Sequence, residues 1–76
     1  MLRQVAREFR KARADLMGAA LANAGKTLAE SDPEVSEAID FVEFYAENAR
    51  WFMEDLGPDV RVKGKGVVVV VSPWNF

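Results

Sequence analysis

The residues best suited to chemistry lie at the end of the chain. Ser72-Pro73-Trp74-Asn75-Phe76 follows five consecutive valines at 67–71. Asn75 carries an amide that can donate two hydrogens, and Trp74 offers a flat ring with one donor. The same types are also common as a core aromatic and a turn asparagine. Composition therefore leaves two interpretations open, a pocket wall and ordinary packing.

A second candidate is a set of carboxylates on one predicted helix. Glu43 and Glu47 are four residues apart and share a helical face, a spacing that suits acid–base chemistry or weak metal binding. No third ligand type lies nearby, so a solvated face is the favoured interpretation. The full set is Glu37, Asp40, Glu43, Glu47 and Glu54.

Gly25-Lys26-Thr27 matches the end of a phosphate-binding loop. That motif requires a glycine five residues before Gly25, where this chain has Ala20, and a strand before the loop, where a helix is predicted. The segment therefore predicts a helix end, with Gly25 in the left-handed position and Lys26 near the negative end of the helix dipole.

Composition limits the function further. The 76 residues include 10 basic and 12 acidic side chains, no Cys and no His. This balance argues against nucleic-acid binding, and the chain offers neither a cysteine nucleophile nor a histidine base. Charged residues from Arg3 onward interrupt any signal peptide, and no stretch is apolar enough to span a membrane, so we expect a cytoplasmic protein.

Two amphipathic helical segments are predicted. Apolar residues at three- and four-residue steps predict a helix over about 2–24, either continuous or broken near Arg13, with Asp15 capping the second part. A second helix is predicted over about 33–56, with Ser31 or Asp32 as its cap and Pro33 as its first residue. Its apolar face is wide enough to need more than one partner surface.

Two strands are predicted after the second helix. The alternation at 60–63 is typical of a half-exposed strand, and the valine run over about 66–71 is typical of a strand buried in a parallel α/β sheet. Arg61, Lys63 and Lys65 face either solvent, which we favour, or an anionic ligand. Ligands of such sheets bind beyond the carboxyl ends of strands, where Ser72 to Asn75 follow.

Three segments, in order, resemble the aldehyde dehydrogenase superfamily. Pro73-Trp74-Asn75-Phe76 resembles its Pro-Trp-Asn-Phe signature, and the segment 24–30 resembles its Glu-Ala-Gly-Lys region. The segment 37–46 resembles a helix of the branch that oxidises glutamate γ-semialdehyde, the open form of 1-pyrroline-5-carboxylate, including bifunctional proline-catabolic enzymes. Two positions depart from the pattern: Asn23 replaces a glutamate and Phe44 a tyrosine.

The resemblance implies an NAD- or NADP-dependent oxidation of an aldehyde to a carboxylate. It implies an α/β fold in which two helical segments lead into the first strands of a Rossmann-type domain. It also implies that Asn75 stabilises the oxyanion and that Ser72, Pro73, Trp74 and Asn75 line the cofactor pocket, with no metal. The family's catalytic cysteine and glutamate have no counterpart here.

We therefore expect an amino-terminal fragment of a homo-oligomeric dehydrogenase that is inactive alone, folds marginally and aggregates through its valine strand. Two alternatives remain: a small helical interaction module without activity, and a dehydrogenase for another aliphatic aldehyde.

Overall fold

A computed structural model describes residues 1–73 as three helices followed by an irregular segment. Helix α1 spans Leu2–Lys11, α2 spans Arg13–Ala24 and α3 spans Leu28–Glu54. From residue 57 to residue 73 the backbone forms a turn but no helix. Helices α1 and α2 both pack against α3, which is the longest element and supports the other two.

The break between α1 and α2 falls at Ala12, so the first predicted segment is two helices. Ala12 has φ −86° and ψ 10°, and its N–H donates to the Glu8 carbonyl at 2.9 Å. Asp15 lies in the first turn of α2 and makes no side-chain capping bond at its start. Its carboxylate is well placed for the positive end of the helix dipole.

The end of α2 confirms the predicted role of Gly25. This residue adopts the left-handed conformation, with φ 67° and ψ 19°, and its N–H donates to the Leu21 carbonyl at 3.0 Å. An L side chain is strained in this conformation, so glycine is the favoured residue here.

Helix α3 begins five residues before the predicted start at Pro33. Thr27 is the N-cap and forms a capping box: its hydroxyl accepts from the Glu30 N–H at 3.3 Å, and its own N–H donates to the Glu30 carboxylate at 2.8 Å. Neither Ser31 nor Asp32 is the cap; Ser31 is buried and Asp32 pairs with Arg13. Helix α3 therefore continues through Pro33, which has no N–H to donate to the carbonyl four residues earlier.

The core is small. Within residues 1–73, its buried hydrophobic residues are Ala6, Val35 and Ile39. The half-buried side chains packed around them are Phe9, Leu16, Met17 and Val42. The radius of gyration is 15.8 Å, whereas a compact chain of this length would have about 11 Å. The molecule is therefore elongated, with extents of 50 × 24 × 17 Å.

The predicted α/β fold is wrong for the described residues. Residues 60–63 and 66–71, predicted as strands, form no strand within 1–73, and the valines at 67–71 are exposed. A strand is held by hydrogen bonds to a neighbouring strand, and the described part of the chain provides no such partner. The β-branched side chains favour an extended backbone but do not form a sheet by themselves.

Candidate functional site

The predicted site motif is only partly within the described residues. Ser72 and Pro73 are exposed in the irregular segment after α3. Trp74 and Asn75, predicted to be the cofactor wall and the oxyanion donor, lie outside the described residues, as does Phe76. The assignments to these positions therefore stay predictions.

The clearest cleft lies between α1 and α3. It has a volume of about 390 Å³ and is lined by Arg3, Arg7, Glu43 and Glu47. Arg3 bonds to Glu47 at 2.8 Å, and Arg10, one turn beyond Arg7, pairs with Glu43 at 2.8 Å. These contacts form an ion-pair ladder (Arg3–Glu47 and Arg10–Glu43) that joins α1 to the middle of α3.

The ion pairs shift the pKa values of Arg10, Glu43 and Glu47. The hydrogen bond from Arg10, and then its positive charge, lower the pKa of Glu43 below its usual value, while the same contact raises the pKa of Arg10. The pKa of Glu47 is lowered first by Arg50, which donates to it at 2.8 Å on the same helix, and then by Arg3. Both carboxylates are therefore ionised at neutral pH.

The arrangement suits structural ion pairing better than catalysis. A carboxylate with a lowered pKa is a poor general acid, and each glutamate already has a cation partner. The lining holds two carboxylates beside two arginines, and Arg3 is already paired with Glu47, so the cleft lacks the excess of positive charge that the pyrophosphate of NAD or NADP would need. Ser72 and Pro73 line neither this cleft nor its neighbour, which is lined by Met1, Leu2, Arg3, Ala46 and Arg50.

Glu43 and Glu47 are exposed, as the predicted solvated face requires, but their pairing with α1 was not predicted from the sequence. Arg3, Arg7 and Arg10 recur at helical spacing, which was the available signal. That spacing does not tell which helix faces the arginines.

As for metals, residues 1–73 contain no group of three potential ligands among Asp, Glu, His and Cys. None of the three helices is both long and apolar enough to cross a membrane.

A further surface lies on α3, away from the core. Five aromatic side chains between 47 and 60% exposed recur there at helical spacing. They are Phe41, Phe44, Tyr45, Trp51 and Phe52, and we call them the aromatic face. Phe44 and Tyr45 meet edge to face with centroids 5.3 Å apart, and Trp51 and Phe52 do the same at 5.1 Å. The apolar periodicity of this helix predicts a core stripe that contains Tyr45 and Phe52 together with Val35, Ile39 and Val42, but Tyr45 and Phe52 are exposed.

Comparisons with known proteins identify a family. The model of the aldehyde dehydrogenase family matches residues 1–76. The bifunctional protein PutA of Rhizobium meliloti is 43% identical over 61 residues, which cover 80% of this chain and 4% of that protein. The 1-pyrroline-5-carboxylate dehydrogenase of Geobacillus sp. (strain WCH70) is 40% identical over 65 residues, covering 70% of this chain and 12% of that enzyme.

A third relative matches along the full chain. The 1-pyrroline-5-carboxylate dehydrogenase 2 of Bacillus subtilis (strain 168) is 31% identical over 84 aligned positions, covering 100% of this chain and 16% of that enzyme. No solved structure matches the chain. The chain thus spans between 4 and 16% of the length of these three relatives.

Proposed function

Because this chain belongs to the aldehyde dehydrogenase family, we propose that it is part of an NAD- or NADP-dependent enzyme that oxidises L-glutamate γ-semialdehyde to glutamate. The support for this substrate is the similarity to a 1-pyrroline-5-carboxylate dehydrogenase and to PutA. The resemblance of segment 37–46 to the same branch points to the same substrate. We place the longer enzyme in the cytoplasm, as a homo-oligomer.

The proposed contribution of this chain to the reaction is Asn75. Oxidation of an aldehyde to a carboxylate removes a hydride from the carbonyl carbon, which a bound dinucleotide would accept, and adds an oxygen from water. Addition to the carbonyl places negative charge on its oxygen, and the Asn75 side-chain amide donates a hydrogen bond to that oxygen. A preorganised donor of this kind typically lowers the barrier by about 3 kcal/mol.

Ser72, Pro73 and Trp74 are proposed as part of the cofactor-facing surface. The described residues do not fit a dinucleotide by themselves, because Ser72 and Pro73 are exposed and line neither of the two clefts described above. Their role therefore depends on surfaces that other parts of a longer enzyme would provide. We also propose that the 76-residue chain alone has no dehydrogenase activity, because it contains no Cys to form the thiohemiacetal.

A chimeric enzyme tests the proposal. Residues 1–76 would replace the matching segment of the Bacillus subtilis enzyme, which aligns with the whole chain, and formation of reduced dinucleotide would be measured with 1-pyrroline-5-carboxylate. We expect the chimera to be active and Asn75→Ala to lower its kcat by about 10²- to 10³-fold. Asn48→Ala, at a half-buried asparagine of α3, is the matched control and should leave kcat nearly unchanged.

Three outcomes would count against the proposal. A chimera that folds but does not turn over 1-pyrroline-5-carboxylate would contradict the proposed enzyme activity. Equal kcat values for Asn75→Ala and Asn48→Ala would remove the role of Asn75. Reduction of the dinucleotide by the purified 76-residue chain with aldehyde would contradict its predicted inactivity.

A further inference from the structure

We draw no further inference here: the strongest candidate, the aromatic face on the exposed side of α3, carries no proposal, because nothing in residues 1–73 shows what covers it.

Discussion

Thr27 and Glu30 determine where the longest helix begins. Thr27→Ala removes the hydroxyl that accepts from the Glu30 N–H, and the bond from the Thr27 hydroxyl to the Glu30 carboxylate at 2.9 Å is lost with it. Loss of an N-cap side chain costs about 1 kcal/mol, so we expect the free energy of unfolding to fall by that amount in urea titrations followed by circular dichroism. Thr27→Ser keeps the hydroxyl and should retain most of the stability. Equal stability of the alanine and serine variants would contradict the role of the cap.

The residues at this boundary also show what one sequence can predict. The left-handed conformation of Gly25 at the end of α2 was predictable, because a positive φ strongly favours glycine. The start of α3 was not predictable, because two pairs have the same capping-box spacing: Thr27 with Glu30, and Ser31 with Glu34. Pro33 favoured the later start, because a proline inside a helix loses a backbone hydrogen bond and crowds the carbonyl four residues earlier, yet α3 runs through it.

At the scale of elements, α1 is held on α3 by a small apolar contact and by the exposed ion pairs of the ladder. Only Ala6 of α1 is fully buried, and the ladder provides specific contacts across the interface. Glu43 and Glu47 have pKa values below the usual 4.5 in the folded protein. Their contribution to stability is therefore complete above about pH 4.5 and is lost as the pH falls through the lowered values.

We therefore expect the urea midpoint to fall between pH 5 and pH 3, with the same direction of change when salt is added at pH 7. Glu30, whose pKa is lowered by its bonds to Thr27, contributes in the same direction. The double variant Glu43→Gln and Glu47→Gln should have a lower midpoint at pH 7 and a smaller loss in acid. A variant with the same pH dependence as the unchanged protein would show that the ladder adds nothing to folding.

Among the elements, the wrong prediction is the strand at the valines. The valines at 67–71 have the composition of a buried strand, but composition reports only a preference for extended backbone. A sheet also needs a second strand in register, and no residue in 67–71 carries that information. The width of the apolar surface on α3 was predicted correctly, since the core uses Val35 and Ile39 and leaves the aromatic face exposed.

At the scale of the whole molecule, stability rests on very few buried side chains. Ile39 is 3% exposed and lies at the centre of the core. Ile39→Ala should cost about 2–5 kcal/mol, comparable to the total that a core in a chain of this size usually supplies. We expect the thermal transition of this variant to lose its cooperativity in circular dichroism. Leu28→Ala, at a position 59% exposed, is the control and should melt like the unchanged protein. Similar melting of both variants would mean that Ile39 is not central to the fold.

The short connection between α2 and α3 has a consequence for the order of folding. Only residues 25–27 separate the two helices, and closing such a short loop takes far less than a microsecond. The contact between Arg3 and Glu47 joins residues 44 positions apart, so its loop-closure entropy is larger. The α2–α3 hairpin should therefore form first, and α1 should dock afterwards onto a helix that already exists. Mutations in α1 would then speed unfolding while leaving the refolding rate nearly constant.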